Sequence, residues 1–207
     1  MMEPTTTYVP AADRYDAMTY NRCGDSGLKL PAVSLGCWHN FGDRTPFETM
    51  RQLTRTAFDH GVTHFDLANN YGPEPGAAER NGLKETSQRL GLGLITFSPL
   101  DQGLLTDRYL DGVIPSDSRI ATDGRFLHAG ALTEDKLKQI HDLNNIAAMR
   151  GQTLAEMALA WLLHDDAVTS VLVGASKPEQ LLANLKALEN TEFTDRELSV
   201  IKFITMA

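Results

Sequence analysis

The sequence predicts an α/β chain of about four parallel strand-helix units behind an N-terminal β-hairpin, and three observations carry that expectation. Short runs rich in apolar and β-branched residues recur at 32–36, 61–67, 91–97 and 168–174. Most of the intervals between them carry apolar residues at helical spacing. The resulting β-α-β-α-β order favours a parallel sheet with right-handed crossovers.

Residues 1–18 are polar and irregular and read as a loosely held arm. Thr19–Arg22 and Leu28–Pro31 flank a Cys-Gly-Asp-Ser-Gly turn and form the predicted hairpin. Ala32–Gly36 is the first strand of the sheet and runs out into Trp38, His39 and Asn40. Thr45 is a good N-cap for a helix beginning at Pro46, and Glu48 completes a capping box. Phe47, Met50, Leu53, Ala57 and Phe58 give that helix its apolar face, and Gly61 ends it. Val62, Phe65 and Leu67 supply the bulk of the second strand.

Gly76–Leu90 reads as a helix, Gly91–Phe97 as the third strand and Ser98–Gly103 as its exit loop. Residues 104–132 carry Asp-Gly and Pro-Ser-Asp-Ser clusters and read as a long loop, a length that usually serves function. The position of residues 105–130 after the third strand suggests a lid. Thr133 caps a helix to about Arg150. Gln152–His164 forms another, with Leu154, Met157, Ala158, Trp161 and Leu162 on one core-facing side. Val168–Gly174 is the fourth strand. Ser176 then caps a helix with Pro178 in its first turn, Glu179 closing a capping box and Leu181, Leu182, Leu185 and Leu188 on its buried face. Thr194 and Glu197 mark a final short helix. The chain reads as one domain over residues 1–207.

A length of 207 residues and 42% hydrophobic content suit one sizeable core. The net charge of -8 argues against nucleic acid or an anionic membrane as partner. No apolar run reaches bilayer-spanning length and the first residues lack the features of a signal peptide, so a cytoplasmic location is expected. Cys23 and Cys37 fit no metal spacing and are too few for a disulfide scaffold. His60 and His64 have helical metal-site spacing, but Gly61 puts them on different elements. No metal site is expected.

The second strand places a carboxylate, Asp66, and a phenol, Tyr71, beyond its end, where parallel α/β folds build their sites. Such an Asp also serves as a loop acceptor, and such a Tyr also packs in a core. The pattern Gly61-x-x-x-Phe65-Asp66-x-Ala68-x-x-Tyr71-Gly72 resembles the signature of the aldo-keto reductase family. There the Tyr is the general acid and the Asp belongs to the same catalytic group, roles the resemblance assigns to Tyr71 and Asp66. The turn at Ser176 and Lys177 aims backbone N–H groups and a helix dipole at one spot. Gly-Ala-Ser-Lys-x-Glu-Gln-x-x-x-Asn at 174–184 is similar to the family segment holding the 2′-phosphate and adenine of NADPH, which implies Gly174, Ser176, Lys177, Gln180 and Asn184. Thr-Phe-Ser-Pro-Leu-x-Gln-Gly at 96–103 resembles another cofactor segment. It implies that Phe97 stacks on nicotinamide, with Ser98, Leu100, Gln102 and Gly103 along the phosphates.

Trp38-His39-Asn40-Phe41-Gly42 narrows the resemblance to a small-aldehyde branch similar to glyceraldehyde-3-phosphate and methylglyoxal reductases and related to potassium-channel β-subunits. Trp38 and His39 are assigned to its substrate pocket. The resemblance spans Tyr15 to Ile204 and implies NADPH-dependent reduction of a small carbonyl substrate. The family fold is a (β/α)8 TIM barrel of about 250 residues. The four units here match its first, second, seventh and eighth, a half barrel joined near residues 79–82. The family's third and fourth strands supply its active-site Lys and His, and the fifth and sixth supply the Ser, Asn and Gln that hold the carboxamide. None of these strands has a counterpart.

Without that Lys, Tyr71 is expected to titrate near an ordinary phenol, about 10, and to give up its proton less readily. The resemblance thus carries two readings: a shortened reductase with Tyr71 as acid, and a catalytically inactive NADP-binding regulatory or structural subunit. In the family barrel the retained strands are neighbours, in the order third, fourth, first, second of this chain. Half a barrel leaves two parallel edges and an apolar face open. Pairing of two chains into one eight-stranded barrel, a homodimer or a higher oligomer built from it, is the expected remedy.

Overall fold

The computed structural model describes residues 8–36, 46–66, 88–89, 93–122 and 127–206. Trp38, His39, Thr45, Leu67, Tyr71, the join at 79–82 and nearly all of the expected helix at 76–90 lie outside the described residues. The hairpin pairs β1 (Tyr20–Arg22) with β2 (Lys29–Pro31) in antiparallel register, Tyr20 opposite Pro31. The main sheet holds β3 (Val33–Gly36), β4 (Phe65–Asp66), β5 (Leu94–Phe97) and β6 (Val168–Val173). All neighbours are parallel and the order is β4-β3-β6-β5. An α/β chain with one four-stranded parallel sheet is consistent with part of a barrel, and its strand order is the one expected above.

The helices are α1 (Phe47–Asp59), α2 (Arg119–Thr122), α3 (Glu134–Met149), α4 (Leu154–Leu163), α5 (Pro178–Leu185) and α6 (Asp195–Met206). One core lies between one face of the sheet and the helices over it. Val33, Leu35, Val171 and Val173 meet Leu53 and Ala57 of α1, Leu159 of α4 and Leu181 of α5. A second core gathers Leu104 and Tyr109 with Ile140, Leu143 and Ile146 of α3, Met157 of α4 and Ile201 of α6. Each such apolar side chain contributes about 1.5–3 kcal/mol.

Several sequence expectations are corrected by packing. The end of the N-terminal arm is not loose. The Tyr8 hydroxyl and the Ala11 N–H both donate to Asp59 Oδ1, at 2.6 and 2.9 Å, and Met18 is only 7% exposed in the first core. Burial, with the Asp59 carboxylate beside it, pushes the Tyr8 phenol up to about 12. Burial alone would raise Asp59, but the Tyr8 hydroxyl and the Ala11 N–H outweigh it and hold the carboxyl below its ordinary value.

α1 begins after an extended Pro46, whose side chain offers no acceptor for a cap, and Glu48 pairs with Arg51 in its first turn. Phe47 is exposed. α4 does not have a single buried side: Leu159 faces one core while Leu154 and Met157 face the other, so the helix joins them. Its N-terminus carries a reciprocal Thr153–Glu156 box. The 104–132 stretch is not a free loop; short helical turns at Asp107–Tyr109, Arg119–Thr122 and Ala129–Ala131 punctuate it, and Leu104, Tyr109 and Leu127 anchor it in the second core.

α5 is capped by the backbone of Lys177 rather than by Ser176, and Gln180 takes the part expected of Glu179. Leu182 is exposed rather than part of the buried face. Among the described residues, no helix is long and apolar enough to cross a membrane.

Candidate functional site

Because the four strands are parallel, their carboxyl ends share one rim. Leu35 pairs with Phe65 and Gly36 with Asp66 on one side, while Thr96 pairs with Val171 and Phe97 with Leu172 on the other. Asp66 and Phe97 therefore sit at the rim on the two outer strands. The loops 98–103 and 174–177 leave neighbouring strands beside each other, at a strand spacing of about 4.8 Å.

At Asp66 the side-chain Oδ2 is shut from solvent and has no hydrogen-bond partner among the described residues. That state costs free energy unless a cation or donor meets it. Gly36 next to it is needed for close approach, since a Cβ there would lie 3.3 Å from Leu172 Cγ.

After Phe97 the backbone turns sharply. Ser98, Asp101 and Gln102 all have positive φ, at 53°, 47° and 59°, and Gly103 follows at 100°. Non-glycine residues in that region cost about 1 kcal/mol or more each, and such strain concentrates where backbone is held for function. The loop is braced by Gln102 Nε2 donating to Ser98 Oγ at 3.0 Å and by Gly103 N–H donating to Leu100 O at 2.8 Å. Phe97 is 57% exposed on the side of the sheet away from the helices, so its ring is free to be covered by a planar ligand. Leu100 packs its side chain on the first core.

The turn after β6 is built differently from the usual capped helix. Both the N–H and the hydroxyl of Ser176 donate to Gln180 Oε1, each at 2.8 Å. This leaves Gly174, Ser176, Lys177 and Gln180 exposed together at the start of α5, while Asn184 is buried on its inner side. Lys177 has no ion-pair partner among the described residues. An exposed ammonium at a helix N-terminus suits a phosphate. The residues present thus fit a dinucleotide phosphate.

One polar feature went unnoticed in the sequence. On the sheet face away from the first core, His64 Nδ1 lies 2.9 Å from Ser34 Oγ, which lies 2.6 Å from Ser170 Oγ, and Ser170 Oγ donates to Ala32 O at 3.4 Å. A consistent donor order runs from His64 Nδ1–H through the two hydroxyls to that carbonyl, which leaves Nε2 as an acceptor. The sequence signal was a serine inside each of two largely apolar strands. Trp38, His39 and Tyr71 lie outside the described residues, so the structure does not relate them to this rim. Among the described residues no cluster of three metal-ligating side chains occurs.

Comparison with known proteins places the sequence in a family. The family model described as "Aldo/keto reductase family" matches residues 32–80 and 76–205, which include all four sheet strands. The chain is 33% identical over 322 residues to L-glyceraldehyde 3-phosphate reductase of Escherichia coli (strain K12), covering 91% of this chain and 93% of that protein. That alignment is longer than the chain's 207 residues, so over a third of it faces no residue here. A probable voltage-gated potassium channel subunit beta of Oryza sativa subsp. japonica is 43% identical over 100 residues, 48% of this chain and 30% of that protein. A putative one of Schizosaccharomyces pombe (strain 972 / ATCC 24843) is 40% identical over 110 residues, 52% of this chain and 32% of that protein. With both halves of the sheet and the loops at its rim matched, the chain belongs to the aldo/keto reductase family of oxidoreductases.

Proposed function

We propose that this chain binds NADPH at the carboxyl rim of its sheet and serves the reduction of small aldehydes or ketoaldehydes, as a form shortened to four strand-helix units. The observation that carries the reading is the parallel register that brings Asp66, Phe97, the strained 98–103 loop and Lys177 to one end of the sheet. NADPH, when bound, supplies a hydride to a carbonyl carbon. Lys177, Ser176 and Gln180 would hold its 2′-phosphate, the resemblance assigns Asn184 to the adenine, and Ser98, Leu100, Gln102 and Gly103 would line its pyrophosphate. Phe97 covers the nicotinamide ring, and Gly174 leaves room at the turn. Tyr71 gives the carbonyl oxygen its proton, and Trp38 and His39 close the substrate pocket. The names of the relatives, a glyceraldehyde 3-phosphate reductase among them, support the small-aldehyde class.

A second reading has its own observation. The partnerless Oδ2 of Asp66 is what the loss of the family's Lys predicts, and a site without that Lys favours cofactor binding over proton transfer. The chain would then be an NADP-binding regulatory or structural subunit, a reading that the names of the channel-subunit relatives support.

A fluorescence titration with NADPH, followed by the reduced-nicotinamide absorbance after adding methylglyoxal, separates the two: consumption supports the reductase and binding without consumption supports the subunit. Lys177→Ala is expected to weaken NADPH by about 10- to 100-fold, the worth of one charge-assisted contact, and NADH hardly at all. Equal affinities of the wild type for NADPH and NADH would remove the phosphate assignment.

A further inference from the structure

We propose that two copies of this chain close one eight-stranded barrel, β5 of each copy pairing with β4 of the other around a two-fold axis along the strands. Among the described residues β4 and β5 each pair with a single neighbour, which leaves one edge of each unpaired among them. Unpaired N–H and C=O groups along such an edge recruit another strand. Since all four strands point the same way, the β5 edge of one copy meets the β4 edge of the next with no strand reversed. Four strands from each copy make the eight of the family barrel. A head-to-tail contact that closes after two copies gives a ring rather than a fibre.

The sheet faces point to the same occupant. Helices cover the face that carries the first core. On the other face Ile95 and Phe97 of the edge strand β5 are 42% and 57% exposed, while Ser34 and Ser170 on the central strands are buried. Exposure on that face is thus greatest at an edge where a barrel would continue. The seam would also set the β5 end that carries Phe97 beside the β4 end of the second copy, so each rim is completed by the other chain. The inference takes its strand number from the family and does not depend on NADPH binding.

Sedimentation equilibrium of the full chain without cofactor, at micromolar concentration, is expected to give twice the chain mass of 22.8 kDa. Ile95→Lys, which would put an ammonium inside the closed barrel, is expected to raise the dimer dissociation constant about 100-fold or more. Val113→Lys, at an exposed position off the sheet, should leave the dimer unchanged. Hydrogen exchange on the wild type reads the same seam without a variant: amides of residues 65–66 and 94–97 should lose protection on dilution through dissociation, together and ahead of β6. A monomer, a larger assembly, a dimer that survives Ile95→Lys, or edge amides whose exchange ignores dilution would overturn the proposal.

Discussion

Asp66→Asn tests whether the site has lost the partner of its carboxylate. Oδ2 of Asp66 is buried and, among the described residues, unpaired at the end of β4. A buried acceptor in that condition costs about 1–3 kcal/mol, and more when it bears a charge. Asparagine has the same shape, so the substitution removes the charge without opening a cavity. Part of the side chain still reaches solvent and the amide still lacks a partner, which keeps the expected gain near the lower end, about 1 kcal/mol. For a chain of this size that raises Tm by about 2–4 °C. The assay is a thermal melt by circular dichroism, without cofactor and at fixed protein concentration. A carboxylate held by a cation would respond with the opposite sign, because breaking a buried pair costs about 3–5 kcal/mol. A lower Tm for Asp66→Asn would therefore refute the argument and show that something replaces the family's Lys.

Two further expectations concern the frame behind the site. Arg150 is 4% exposed, donates to Gln152, Glu197 and the carbonyls of Asn190 and Glu192, and lies 3.7 Å from the centre of the Phe193 ring. Arg150→Ala should cost about 3 kcal/mol or more and lower Tm by about 6–12 °C, with Lys recovering less than half because it lacks the planar fork. The Thr194 N–H above all, against burial and with help from the Thr194 hydroxyl and Arg150, holds Glu197 below its ordinary pKa. Its contribution is complete above the unfolded carboxylate value and disappears as pH falls through the depressed folded value. Acid melts of Arg150→Ala should thus show a shallower acid limb than wild type.

Gly61→Ala should cost about 2–5 kcal/mol. Its φ is +80°, and a Cβ would lie 2.6 Å from both Arg14 O and Met18 Cβ, so left-handed strain adds to overpacking. Limited proteolysis should then cut within residues 8–18, which the wild type protects.

Strand positions were legible because Val33, Leu35, Val171 and Val173 are apolar on the face that helices cover, and their spacing needs no tertiary information. Strand order came from the family resemblance, since nothing local in β3 or β6 says that Val33 will lie opposite Val171. Capping was the weakest part. Ser176 and Glu179 have the right spacing for a box, yet Gln180 reaches back one residue further and takes both Ser176 donors. The arm was misjudged because Tyr8 and Asp59 are 51 residues apart in sequence, and polarity alone does not reveal a tether between them. Likewise the Ser34–Ser170 contact spans 136 residues and needed the β3–β6 register before either serine had a role.

That same register bears on the proposal that the chain is a shortened barrel. In a closed barrel the first and last strands are neighbours, so removing units from the middle leaves one contiguous sheet rather than two fragments. Here β3 and β6 are that first-and-last pair, and Leu35, Val171 and Val173 keep a common core beneath α1, α4 and α5. Under the proposal of a shortened barrel, any cost of missing units would fall on the outer strands β4 and β5. Those strands end in Asp66 and Phe97, so whatever covers their outer edges would support the sheet and the proposed site together.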